Sequence, residues 1–147
     1  MHGGIDVSAA TDLAVNQEPL DRAECLSLLA QASFGRLLLS VDCLPAAQPV
    51  FIALFDDEML ALLGPGPERE AAERGDVVAL QVDGTEIDGH AAWSVRVTGE
   101  AAIVLLTRSL RQRLSTTRLS SALSEASALL RLPLDVVAGE RTRWTSQ

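Results

Sequence analysis

Apolar and polar residues alternate along this chain with two different periods, and the switches between them mark out its elements. From Arg22 to Ala32, the residues Cys25, Leu28, Leu29 and Ala32 recur at spacings of three and four, which places them on one face of a packed helix. Asp21 is placed to cap it, Glu24 stands three residues on as in a capping box, and Leu20 can staple onto Cys25. Gly35 ends this unit, and short apolar runs follow it: Arg36 to Val41, Gln48 to Phe55 and Glu58 to Leu63. Asp42-Cys43-Leu44-Pro45 and Asp56-Asp57 separate them, so the three read as an antiparallel meander. Gly64-Pro65-Gly66-Pro67 breaks the pattern, and Pro67 suits the first turn of a short helix running to Arg74 and stopped by Gly75.

Val77 to Val82 predicts a fourth strand. Beyond the polar loop Asp83 to Gly89, Trp93 to Thr98 alternates with period two, and Ala101 to Leu105 follows Gly99. Thr107 to Ala128 turns helical, with Leu110, Leu114, Leu119 and Leu123 as its apolar positions; the pattern leaves open whether it is one helix or two. Leu129 to Val137 reads as a strand, and Arg141 to Trp144 as a strand end. Strands with regular turn signals, and helices confined to the start and the last third, predict a small antiparallel β-barrel with helical additions. Residues 1–19 read as a flexible tail and residues 20–147 as one domain, which suits a chain of 147 residues.

Composition narrows the chemistry. All 12 cations are Arg and Tyr is absent, which removes Schiff-base and phosphate-loop lysines and tyrosine acids. His2, His90, Cys25 and Cys43 are too scattered for a zinc site of the usual spacing, and no metal is expected. The formal charge of -8 argues against nucleic acid as a partner. It is unevenly spread: residues 1–100 carry a net of -12, and residues 101–147, with seven Arg against three acids, carry +4. That basic segment reads as a solvated helix face, or as a surface meeting a second copy or an anionic ligand. The longest apolar run, Pro49 to Phe55, falls far short of the ~20 residues a bilayer requires. With no targeting segment and two cysteines that look unpaired, the expectation is a cytoplasmic protein with no membrane partner.

No motif supplies a catalytic residue. There is no Gly-x-Ser-x-Gly elbow, His90 sits in a Gly-flanked loop, and Cys43 has no adjacent cation to activate it. The Gly64-Pro65-Gly66 loop makes a poor phosphate cradle. Pro65 and Pro67 have no N–H to donate, and Glu68 and Glu70 repel an anion, leaving Arg69 as the nearby cation. Trp93 and Trp144 read as core or interface anchors.

Several stretches resemble the pyridoxamine 5′-phosphate oxidase-like family of FMN-binding split β-barrels. They are Leu20 to Leu26, Ala32 to Leu37, Pro49-Val50 with Ala53-Leu54, Val77 to Asp83 and Trp93 to Ala101, with a weaker echo at Arg131 to Gly139. The resemblance implies a six-stranded antiparallel split barrel and a homodimer with FMN at the subunit interface. Pro49, Val50 and Phe51 would line the flavin ring, and Trp93 would approach it from the dimer seam. Family members hold the phosphate with an Arg-Thr pair ending the third strand and a Lys on the next helix. Those positions fall here on Leu62, Leu63 and Glu68, all three of which depart from the pattern. Compensation would have to come from Arg69 or from Arg111, Arg113, Arg118, Arg141 or Arg143. The resemblance thus implies a flavin-dependent oxidoreductase; the alternative is a non-catalytic dimeric binding or scaffold protein of the same fold that has lost the phosphate site.

Overall fold

The computed structural model describes residues 13–124 and 127–146. Nine strands, all paired antiparallel, form one sheet in the order β1-β9-β6-β5-β2-β3-β4-β8-β7. In chain order these are β1 (Leu13–Pro19), β2 (Phe34–Val41), β3 (Leu44–Phe55), β4 (Glu58–Leu63), β5 (Val77–Thr85), β6 (Ala91–Glu100), β7 (Ala102–Leu105), β8 (Ala128–Pro133) and β9 (Val136–Ser146). Helices α1 (Arg22–Gln31), α2 (Pro67–Arg74) and α3 (Arg108–Arg113) punctuate them. The mainly β, antiparallel class matches the expectation, with nine strands in place of six.

The long β3 splits the sheet. Its first part pairs with β2, from Val41↔Leu44 to Phe34↔Phe51, and its last four residues pair with β4, from Ile52↔Ala61 to Phe55↔Glu58. The two halves curl around one core that includes Leu37, Ile52, Met59, Leu80, Val95, Val97, Leu130 and Leu132. Helix α1 closes one opening with Cys25 and Leu29, and Leu28 and Ala32 pack half-buried beside them. Asp21 caps it by accepting from the Glu24 N–H at 2.8 Å. Gly139 lets α1 sit this close, since a Cβ there would lie 2.7 Å from Cys25 Sγ.

A second, smaller core lies on the outer side of β3, β4 and β8. Leu60 and Leu129 point outward there and meet Leu114 and Leu119 from the excursion between β7 and β8. Covering both faces explains why Glu58 to Leu63 reads as a nearly continuous apolar run rather than an alternating one. The excursion is α3 followed by two 3-10 turns, Leu114–Thr116 and Arg118–Ala122. The step from Leu114 to Leu119 spans five residues, which would swing Leu119 about 140° off a continuous helix face. The chain breaks instead at Thr117 (φ -91°, ψ 158°), and both leucines stay buried.

Three expectations change. Residues 13–19, assigned to the flexible tail, form β1, paired with β9 from Leu13↔Ser146 to Pro19↔Glu140; residues 1–12 lie outside the described residues. The predicted strand Leu129 to Val137 is two strands, because Leu134 and Asp135 turn between β8 and β9. Leu44 and Pro45 belong to β3 rather than to the turn, which is the pair Asp42-Cys43 at φ 50° and 66°. Positive φ at both central residues is what a two-residue hairpin needs, and Asp56-Asp57 (50° and 61°) repeats it. No helix among the described residues is long and apolar enough to cross a membrane.

Candidate functional site

The register of β2, β3 and β4 brings the expected ring-lining residues to different sides. Phe51 lies opposite Phe34 on the outward face, with the rings edge to face at 5.7 Å and each side chain about half exposed (50% and 49%). Leu62 follows Ala61 in β4, so it falls beside Phe51 across the strand pair. Phe51 and Leu62 floor an open cavity of about 680 Å³, walled by Ser33, Arg118, Ser121 and Ala122. Val50 and Leu63, one residue off in each strand, face inward into the main core (5% and 6% exposed) and do not line it. Pro49 is exposed on the outer face opposite Arg36.

Two further cavities adjoin this one. A cavity of about 530 Å³ lies between the end of α1 (Gln31), the stretch Ile52 to Leu54 and the excursion at Thr116, Thr117 and Arg118. Another, of about 370 Å³, is lined by Leu28, Ser33, Phe34, Asp83 and Trp93. Ser33 borders both this and the Phe51 cavity, and Arg118 borders both the Phe51 cavity and the one at Gln31. Trp93 lies flat against β5, made possible by Gly84, where a Cβ would come 2.3 Å from the indole ring.

Glu68 and Arg69 lie apart, on α2. Glu68 is buried (5% exposed), and its carboxylate turns back onto the Gly64-Pro65-Gly66 loop, with an oxygen 3.2 Å from where a Gly64 Cβ would be. Arg69 donates to Glu73 one turn on, at 3.3 Å.

The other compensating cations named from the sequence are mostly engaged. Arg111 donates to the Ser124 carbonyl at 2.6 Å. Arg113 pairs with Asp56 and lies 5.1 Å over the Phe55 ring, fastening α3 to the β3–β4 turn. Arg141, only 20% exposed, pairs with Glu86 at 2.7 Å, Glu24 at 3.5 Å and Glu18 at 3.8 Å. Burial works against its charge, but the hydrogen bond and field of Glu86, with Glu24 behind it, outweigh that and raise its pKa. Arg143 shares Glu18 and Glu86. Arg118 alone of the six has a guanidinium with no ion-pair or hydrogen-bond partner among the described residues, although its carbonyl accepts from the Ser121 hydroxyl. His90 packs edge-on against Trp144 at 5.2 Å and lines none of these three cavities.

The solved structures most informative for comparison share this architecture. A FAD-binding protein from Mesorhizobium loti superposes with a TM-score of 0.74 at 23% identity, covering 88% of this chain and 98% of that one. A FAD-binding protein from Mycobacterium smegmatis gives 0.65 at 20% identity, over 85% and 97%. A FAD- and heme-binding protein from the same organism gives 0.64 at 18%, over 84% and 71%. At these identities the likeness is one of fold. The uncharacterized protein Rv0080 of Mycobacterium tuberculosis is 33% identical over 90 residues, which span 58% of this chain and 59% of that relative's length. The family profile described as pyridoxamine 5′-phosphate oxidase matches residues 21–141, from the cap of α1 through most of β9. The chain belongs to the pyridoxamine 5′-phosphate oxidase family.

Proposed function

We propose that this chain binds FMN against the floor formed by Phe51 and Leu62, and acts as a flavin-dependent oxidoreductase in a homodimer. The observation carrying the reading is the open cavity of about 680 Å³ over that apolar floor, at the edge of an uncovered sheet face. Its volume lies within the range of cofactor sites, and an aromatic and a branched aliphatic side chain suit one face of a planar ring. When bound, FMN supplies the redox chemistry of its ring. The chain supplies apolar surface from Phe51 and Leu62, hydroxyls from Ser33 and Ser121, and one cation, Arg118. Trp93, in the adjoining cavity, bounds the side toward a second copy.

The second copy is argued from the outward face of β2, β3 and β5. Cross-strand neighbours there are Phe34 with Phe51, Leu38 with Ala47, and Leu38 with Ala79. Arg36, Pro49 and Gln81 stand between these pairs on the same face, and exposed Val77 (67%) flanks Ala79 at its far end. Exposed apolar side chains clustered on one sheet face mark interaction surfaces, and a two-fold partner would roof the cavity.

A second reading, a non-catalytic dimeric binding protein of the same fold, is favoured by Glu68, a buried carboxylate at the α2 position where the resemblance puts a phosphate-binding Lys. The visible spectrum of the protein as purified separates the two. Flavin absorption bands that stay with the protein through gel filtration support the flavin-binding reading. A colourless protein that stays colourless after incubation with FMN and gel filtration supports the binding protein.

A further inference from the structure

We propose that Arg118 is the cation that holds the phosphate end of the bound flavin nucleotide, replacing the family's strand-end and α2 contacts from a different part of the chain. This rests on the flavin reading above. Three observations point to Arg118 and away from its competitors.

The first is position. Arg118 lines the cavity floored by Phe51 and Leu62 and also the adjoining cavity at Gln31, so its side chain stands at their junction. Neither cavity is lined by a carboxylate, although the chain carries a formal charge of -8. The lining offers the hydroxyls of Ser33 and Thr116 instead, while those of Ser121 and Thr117 donate to the Arg118 and Leu114 carbonyls.

The second is availability. Arg69, Arg113, Arg141 and Arg143 are each paired with carboxylates, and Arg111 is committed to a backbone carbonyl. Recruiting one of those would break an existing pair. Arg118 has no such partner among the described residues, so its five N–H donors can meet a phosphate in the bidentate geometry a guanidinium favours.

The third is support. The residues around Arg118 are pinned: Leu114 and Leu119 are buried (0% and 1% exposed), and Arg113 fastens the excursion to Asp56 and Phe55. A cation presented from a fixed backbone loses less freedom on binding than one on a free tail.

The test compares FMN, FAD and riboflavin by flavin-fluorescence titration of the full chain and of Arg118→Ala and Arg118→Lys. Riboflavin has the same ring and no phosphate. The expected result is that the natural chain prefers a phosphorylated flavin over riboflavin. Arg118→Ala then weakens the phosphorylated flavin by about tenfold to a hundredfold and leaves riboflavin unchanged. Arg118→Lys, which keeps the charge without the fork, falls between. Circular dichroism and a melting curve check that each variant folds. A preference for FMN over FAD assigns the site to a phosphomonoester, and the reverse to a diphosphate. Equal loss of FMN and riboflavin in Arg118→Ala, or no loss of either, overturns the role of Arg118 and leaves the flavin site standing. Failure of the natural chain to bind any of the three overturns the flavin site and the role of Arg118 together.

Discussion

At the scale of single residues, the difference between neighbours one position apart decides what each can do. Phe51 and Leu62 look out on the cavity, and Val50 and Leu63 are sealed in the core, because side chains in a strand alternate faces. The two cysteines differ as sharply. Cys25 is buried, which together with the nearby carboxylates of Asp21 and Glu24 pushes its thiol above the ordinary value of 9.0. Cys43 is exposed in the β2–β3 turn. A thiol reagent such as Ellman's is expected to modify one cysteine in the native protein and two after unfolding. The Cys43→Ser variant should then show none until it unfolds. The raised thiol also sets a pH slope. Below pH 9 both folded and unfolded chains keep the Cys25 proton; above it the unfolded chain loses its proton first. Stability is therefore expected to fall as pH rises beyond 9, and urea unfolding of Cys25→Ala should show a flatter decline.

At the scale of elements, β4 and α2 were legible to the residue, and the rest divides according to where its signal lies. Pro67 and Gly75 are local markers, so α2 could be read from its own sequence. Strand β1 could not. Its partner is β9, more than a hundred residues away, and it forms an edge of the sheet, where no alternation is imposed by burial on both sides. The β8–β9 turn was hidden because Leu134, within it, is buried and reads as strand. The excursion could be assigned its leucines but not its breaks, since only the second core shows why Leu114 and Leu119 must face the same way. The choice of Arg118 among six cations was equally out of reach, because Asp56, Glu18, Glu24 and Glu86 meet their arginines only in the folded chain. The fastening of the excursion is testable by itself. Removing Arg113 in Arg113→Ala breaks an exposed ion pair and a cation–π contact, together worth about 1 kcal/mol. Hydrogen exchange of residues 108–122 should speed up, with the melting temperature little changed. Leu119→Ala empties part of the second core and should cost about 2–5 kcal/mol in urea unfolding.

At the scale of the whole molecule, the proposed dimer gives the two halves of the sheet, the excursion and the outer face of β2, β3 and β5 separate roles. The barrel core stabilises the chain, the second core holds the excursion over one side of the cavity, and in the proposed dimer the face around Leu38 meets the second copy. Leu38→Arg adds a second cation beside Arg36 in the middle of that face without entering the barrel core. Light scattering after gel filtration should find the natural chain at twice the 15.6 kDa of one copy and the variant at that single mass. A natural chain that runs as a monomer at all concentrations would remove the roof from the proposed site. Whether the Phe51–Leu62 cavity holds a flavin is decided by an equilibrium titration of the full chain with FMN, followed by the quenching of flavin fluorescence. A flavin seated there gives saturable quenching at micromolar FMN that is weakened in Phe51→Ala. Fluorescence that rises in proportion to added FMN, unchanged by the protein up to millimolar concentration, would contradict it.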